Sequence, residues 1–168
     1  MLLKDYLPNI NKKFKNFNFS GLAFNSKKVK KNYIFIAIKG DRFDGNNYIN
    51  DAIKNGAKII ISSKFKDQIK NNIIYLKQKN PRQILSHLSS QVFKKKPQNL
   101  IAVTGTNGKT SIANFYYQIL KKNKKKVASF GTLGISGKKQ IKTTSNTTFD
   151  PIKIGKNLNY LEKKKIDY

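Results

Sequence analysis

Ile101-Ala102-Val103-Thr104-Gly105-Thr106-Asn107-Gly108-Lys109-Thr110-Ser111 reads as the end of a strand, a glycine loop and the first turn of a helix. Leu100 to Val103 predicts a short apolar strand, and the residues after Gly108 predict a helix from about Lys109 to Lys122. Glycines let successive backbone N–H groups turn inward around phosphate oxygens without Cβ clashes. The helix N-terminus adds free N–H groups and positive dipole. In this frame Lys109 reaches the β/γ-phosphates of a nucleotide, and the Thr110 hydroxyl is placed to ligate Mg²⁺. Gly105, Thr106, Asn107, Gly108, Lys109, Thr110 and Ser111 are therefore the candidate ATP-phosphate residues. The loop is a variant of the full G-x-x-x-x-G-K-T, because Val103 stands five residues before Gly108 where the common pattern has its first glycine, and the first glycine here is Gly105.

Working outward, the chain predicts an α/β fold in two parts. Toward the N-terminus, Leu22 to Phe24, Tyr33 to Ile38, Ala57 to Ser62 and Ile73 to Leu76 are apolar runs of strand length. Gly40 to Gly45 is a turn-rich loop. Asn50 is the expected N-cap of a helix over Asp51 to Lys54, which Gly56 ends. Pro81 opens a helix whose apolar residues Ile84, Leu85, Leu88 and Val92 recur at helical spacing. Lys94-Lys95-Lys96-Pro97 breaks that helix, so residues 1–96 are expected as a small N-terminal domain and 97–168 as the beginning of a nucleotide-binding one. Toward the C-terminus, Val127 to Phe130 predicts a strand, Gly131 to Gly137 a glycine-rich turn, and Asp150-Pro151 the cap and first turn of a last helix.

Of 168 residues, 35 are Lys or Arg and 8 are Asp or Glu, a formal charge of +27. Such a charge suggests nucleic-acid binding, but the basic residues are scattered through every segment instead of forming a stripe. Arginine, the residue best suited to bidentate base and phosphate contacts, occurs only at Arg42 and Arg82. Enrichment of Lys, Asn, Ile, Phe and Tyr together is the signature of compositional drift, which is the preferred reading over specific nucleic-acid recognition. Cysteine is absent, which excludes disulfides and thiolate metal sites. The N-terminus has no signal-peptide core and no apolar run reaches membrane-spanning length, so a cytoplasmic protein is expected. The acidic residues after Lys109 are Asp150, Glu162 and Asp167, and none follows an apolar strand. A magnesium-holding carboxylate partner for the loop is thus not evident.

Several landmarks in order carry a resemblance. Ser26-Lys27-Lys28-Val29 with Tyr33-Ile34-Phe35-Ile36-Ala37-Ile38-Lys39-Gly40, then Asp44-Gly45, Gly56-Ala57, the loop through Ser111, Gly131-Thr132-Leu133-Gly134 and Asn146-Thr147-Thr148-Phe149-Asp150-Pro151 together resemble the Mur ligase family. Within it they are most similar to the branch that makes UDP-N-acetylmuramoyl tripeptide. The sequence departs from that pattern at Lys27, where the family often has Arg, and at Asp41 or Asn46, where it often has His. The resemblance implies a small α/β UDP-sugar-binding domain followed by the start of a phosphate-loop ATPase-type central domain. It implies that Phe24, Ser26, Asp41, Arg42 and Phe43 contact the uridine diphosphate of the substrate, and that Asn146, Thr147 and Thr148 contact its muramoyl-peptide end. Lys109 and Thr110 then take the catalytic roles, with ATP and Mg²⁺ as the implied cofactors. The implied reaction adds a diamino acid, meso-diaminopimelate or lysine, to UDP-N-acetylmuramoyl-L-alanyl-D-glutamate through an acyl phosphate. The family's carboxylate for Mg²⁺ and its amino-acid-binding domain have no counterpart in the sequence, so an N-terminal fragment without activity alone is expected. The alternatives are a stand-alone UDP-sugar and ATP-binding module, or a basic nucleic-acid-binding protein.

Overall fold

The structure is a computed structural model and describes all residues except Arg42, Thr132, Leu133 and 137–149. It divides into two compact units, Met1–Val92 and Phe93–Tyr168.

The first unit is built on five strands, β1 (Gly21–Ala23), β2 (Tyr33–Ile36), β3 (Ala57–Ser62), β4 (Gln68–Lys70) and β5 (Ile73–Lys77), in the order β1-β2-β3-β5-β4. β1, β2, β3 and β5 run parallel, and β4 pairs antiparallel to β5. The registers line up Leu22, Ile34, Ile59 and Ile74 in one row and Ala23, Phe35, Ile60 and Tyr75 in the next. Successive rows point to opposite faces. Phe35 and Ile60 pack with Ala23, Val29, Ala37, Ile49, Ala52, Ala57 and Ile73, the face covered by α1 (Ile49–Lys54). Ile34, Ile36, Ile59, Ile61 and Leu76 face the other way and are equally buried. The helix α2 (Pro81–Val92) lies against β2 and buries Leu85 and Leu88. Burial on both faces is what makes these strands continuous runs of Ile and Phe without alternation. Each such side chain contributes roughly 1.5–3 kcal/mol.

Two glycines fix this unit's loops. Gly56 has φ +105°, and a Cβ there would lie 2.8 Å from Lys31 Cα; its carbonyl accepts from Asn32 N at 2.8 Å. A Cβ on Gly45 would lie 2.7 Å from Ile38 N and 2.8 Å from Ile38 O, so nothing larger than glycine fits between this loop and the end of β2.

The four strands expected in this unit are recovered, with β1 at Gly21–Ala23 in place of Leu22 to Phe24, β2 ending at Ile36 and β5 extending to Lys77. β4 is an addition. Its three residues are all exposed, so it carries no apolar signal. Asn50 is not a cap: the Asp44 side chain caps a 3-10 turn at Gly45–Tyr48 that runs directly into α1, leaving Asn50 inside the helix.

The second unit contains α3 (Lys109–Lys122), the antiparallel pair β6 (Ser129–Gly131) and β7 (Gly134–Ser136), and α4 (Pro151–Lys163). α3 has the expected bounds. Asp150 caps α4 by accepting from Lys153 N at 2.8 Å, with Pro151 in the first turn. The expected glycine turn after Phe130 is in part the β6–β7 pair. The strand expected at Leu100 to Val103 is not formed, and Leu100 and Ile101 are more than half exposed. An apolar run becomes a strand only when neighbours take its ladder hydrogen bonds. Residues 100–103 have no such neighbour among the described residues. Asn99, just before them, donates its backbone N–H to Asp167 O at 2.9 Å, and Ala128 N donates to Tyr168 O at 2.9 Å.

Candidate functional site

In the second unit the candidate phosphate loop turns on two glycines. Gly105 takes φ +145° and Gly108 takes φ +76°, and Gly108 is the N-cap of α3. A Cβ on Gly108 would meet nothing within 4 Å. Glycine is therefore demanded there by the left-handed backbone and not by crowding. Val103 and Thr104 are absent from the positive-φ residues, so this variant loop needs its first glycine at 105 and carries both larger residues before it without strain. Lys109 Nζ donates to the carbonyl of Gly105 and, at 2.9 Å, to that of Thr106. These bonds fold the ammonium back over the loop. Thr110 and Ser111 occupy the first turn of α3, next to N–H groups that have no intrahelical acceptor. Among the described residues no three His, Cys, Asp or Glu side chains gather in a way that could hold a metal ion.

In the first unit the candidate substrate residues follow the carboxyl ends of adjacent parallel strands. Phe24 and Ser26 come directly after β1, and Asp41 and Phe43 lie in the loop after β2. Ligands of open α/β sheets bind outside this edge. The four parallel strands follow chain order across the sheet, so these loops do not lie at a topological switch point. Ser26 is buried in a 3-10 turn capped by Asn25, and its carbonyl accepts from Asn55 Nδ2 at 3.0 Å. Phe43 is 71% exposed at the loop tip. Gly40 N donates to Phe43 O at 2.9 Å and Gly45 N to Ile38 O at 2.9 Å, which closes the loop at both levels. Arg42, Asn146, Thr147 and Thr148 lie outside the described residues.

Below that loop is a polar network that sequence reasoning did not assemble. Asp44 Oδ1 accepts from Asn46 N at 2.9 Å and Asn46 Nδ2 at 2.6 Å, while Oδ2 accepts from Lys64 Nζ at 2.8 Å. Ser62, fully buried at the end of β3, donates its hydroxyl to Asn46 Oδ1 at 2.6 Å and accepts from Lys64 N at 3.1 Å. The Lys64 hydrogen bond, then that of the Asn46 backbone N–H, holds the Asp44 carboxyl well below the usual carboxylate range. Asp44-Gly45 was visible as a landmark. Nothing in the local sequence marks Ser62 and Lys64 as its partners, because they sit one strand away.

His87 Nε2 lies 3.2 Å from Tyr6 O, at the surface. A small cavity of about 200 Å³ opens among Phe17, Asn18, Asn32, Lys58, Ile59, Asn72 and Ile74. It sits at the amino ends of the parallel strands, opposite the loops described above.

A mostly parallel sheet with candidate loops after its carboxyl ends, followed by a second unit that carries a glycine loop before a helix, defines an α/β protein of two parts. The Mur ligase family catalytic domain matches residues 18–98 and the Mur ligase middle domain matches residues 103–168. The chain belongs to the Mur ligase family. It is 39% identical over 164 residues to a UDP-N-acetylmuramoyl-L-alanyl-D-glutamate--2,6-diaminopimelate ligase of Rickettsia prowazekii (strain Madrid E), covering 95% of this chain and 34% of the relative. A similarly named ligase of Wigglesworthia glossinidia brevipalpis is 37% identical over 175 residues, covering 98% of this chain and 35% of the relative. A solved structure of a UDP-N-acetylmuramoyl-L-alanyl-D-glutamate--2,6-diaminopimelate ligase superposes with TM-score 0.75 at 25% identity, covering 99% of this chain and 34% of the other. A MurF ligase from Thermotoga maritima, solved in complex with ADP, gives TM-score 0.54 at 28% identity over 80% of this chain and 28% of the other. The chain spans about a third of the length of the curated relatives it matches.

Proposed function

We propose that this chain supplies the UDP-sugar-binding and ATP-phosphate-binding parts of a ligase that joins 2,6-diaminopimelate to UDP-N-acetylmuramoyl-L-alanyl-D-glutamate in peptidoglycan precursor synthesis, in the cytoplasm. The observation that carries this reading is the two-part match in order, with a phosphate loop of intact geometry at the start of the second part. Residues 1–96 form the sugar-nucleotide part and 97–168 the beginning of the ATP part.

The loop fits a nucleotide triphosphate by its own geometry. Positive φ at Gly105 and Gly108 turns backbone N–H groups into a concave nest, and the α3 N-terminus lies directly behind it. An ammonium has three donors, and Lys109 spends two directions on the Gly105 and Thr106 carbonyls. Those bonds hold the charge over the nest, where it stabilises negative charge on a transferring phosphoryl group. A divalent cation is fitted only in part: Thr110 offers one hydroxyl, and no carboxylate cluster stands beside it among the described residues. When bound, Mg²⁺ would neutralise phosphate charge. In the sugar-nucleotide part, Phe24 and the exposed Phe43 ring offer faces to a base. Ser26 and the loop around Asp41 and Arg42 offer polar contacts to ribose and diphosphate, and Asn146, Thr147 and Thr148 are assigned to the muramoyl-peptide end.

Activating a carboxylate as an acyl phosphate turns a poor electrophile into one that an amine can attack, so positioning and charge stabilisation are what the protein must provide. Calorimetry of the chain with UDP-N-acetylmuramoyl-L-alanyl-D-glutamate and, separately, with ATP tests the reading. Saturable binding of both, with Lys109→Ala weakening only the second, is the expected result. A chain that binds neither overturns it.

A further inference from the structure

Two loops at the carboxyl edge of the first unit are tied together beneath the residues assigned to the sugar nucleotide. The loop after β2 carries Asp41 and Phe43 at its tip and Asp44 and Asn46 at its base. The turn after β3 begins at Ser62 and continues through Lys64. Two bonds join this turn to the loop: Ser62 donates its hydroxyl to Asn46 Oδ1 at 2.6 Å, and Lys64 Nζ donates to Asp44 Oδ2 at 2.8 Å. Each side is braced within itself, Asn46 Nδ2 donating to Asp44 Oδ1 at 2.6 Å and Lys64 N to the Ser62 hydroxyl oxygen at 3.1 Å. Asp44 also caps the 3-10 turn at Gly45–Tyr48, which leads into α1. Gly45, wedged against Ile38, removes slack on the near side of the loop. The arrangement spans β2, β3 and α1, yet none of its four side chains lies at the loop tip.

We infer that Asp44, Asn46, Ser62 and Lys64 act as positioning residues that fix Gly40, Asp41 and Phe43 where they receive a nucleoside-diphosphate sugar. The inference rests on the reading of this edge given above. A loop ordered in advance loses less conformational freedom on binding, so affinity rises without any added ligand contact. Ser62 is the anchor. Its hydroxyl is fully buried and both accepts and donates, so it can satisfy Asn46 only while the loop stays in place. Lys64, half exposed, supplies the closing charge.

Two variants separate positioning from direct contact. If Lys64 held the ligand diphosphate itself, Asp44→Asn would free its ammonium and tighten binding. If the pair positions the loop, Asp44→Asn and Lys64→Met both weaken binding. We expect each variant to bind UDP-N-acetylmuramoyl-L-alanyl-D-glutamate about tenfold more weakly, with Lys64→Arg restoring most of the loss and ATP binding unchanged. Hydrogen exchange read in parallel should show faster exchange at the Gly40, Gly45 and Asn46 amides in Lys64→Met, with β2 and β3 amides unaffected. Tighter binding by Asp44→Asn, or unaltered exchange at those three amides, overturns the inference. Faster exchange in a protein that does not bind the sugar nucleotide would overturn the functional reading of the edge while leaving the positioning of the loop established.

Discussion

Lys109 is the one charged residue of the Gly105 to Ser111 stretch that forms the candidate ATP site. Its ammonium is held by two loop carbonyls, so its position does not depend on side-chain freedom alone. A hydrogen bond to a charged group contributes roughly 1.5–3 kcal/mol. Lys109→Ala should therefore weaken ATP binding by about 10- to 100-fold in a fluorescent-nucleotide titration. Gly108→Val should do similar damage by another route, because a β-branched residue at φ +76° opposes the left-handed backbone of the nest. At Asp44 the expected effect depends on pH. Its carboxyl is held below its ordinary value of 3.8, so the stabilisation it brings is fully present above about pH 4 and is lost as pH falls below that. Acid titration of the folded first unit should show this loss in the parent protein and its absence in Asp44→Asn. A parallel decline of both proteins between neutral pH and pH 2 would remove Asp44 as its cause.

At the scale of elements, the β4–β5 hairpin offers a sharp case. Lys70 pairs with Ile73 across two residues, Asn71 at φ +51° and Asn72 at φ +60°. Two positive φ values in a two-residue loop make the mirror-image turn that matches strand twist, and Asn-Gly is its preferred sequence. Asn72→Gly should raise the melting temperature of the first unit, whereas Asn72→Val should lower it, at a cost of about 1–2 kcal/mol. Thermal melts of the two variants check both signs. The pair Asn71-Asn72 was the available signal for β4, and apolar content alone passed over it because Gln68, Ile69 and Lys70 are all exposed. Elements buried on both faces were legible for the opposite reason: Ile34 to Ile36 and Ile59 to Ile61 leave no polar residue to disguise them. α3 and α4 were legible from their ends, Gly108 before one and Asp150-Pro151 before the other. What stayed hidden was contact between elements. The Asp44–Lys64 bridge joins residues in loops after different strands, and no local pattern encodes such a pair. The failure at Leu100 to Val103 has the same origin, since apolar residues specify a strand only together with the neighbours that complete its ladder.

At the scale of the whole molecule, two opposed forces meet. The chain carries a formal +27, which keeps copies apart at low ionic strength. Yet α3 buries no residue, and Ile112, Phe115, Tyr116 and Ile119 stand 47–60% exposed at intervals of three, one and three residues along one side. That spacing is an apolar stripe of the kind a helix normally turns toward a core. Leu100 and Ile101 in the same unit are similarly exposed. Charge repulsion decays over about 10 Å at 0.1 M salt and about 3 Å at 1 M, whereas apolar attraction is not screened. The balance should therefore tip as salt is added. Sedimentation is expected to show a monomer at low salt and growing association toward 0.5 M, accompanied by strong binding of a hydrophobic dye. Phe115→Lys with Ile119→Lys should abolish both, without lowering the melting temperature of the first unit, because neither side chain is buried in a core. If the double variant associates and binds dye as the parent does, the stripe on α3 is not the surface responsible. If association instead weakens with salt, charge pairing between copies and not apolar contact is what joins them.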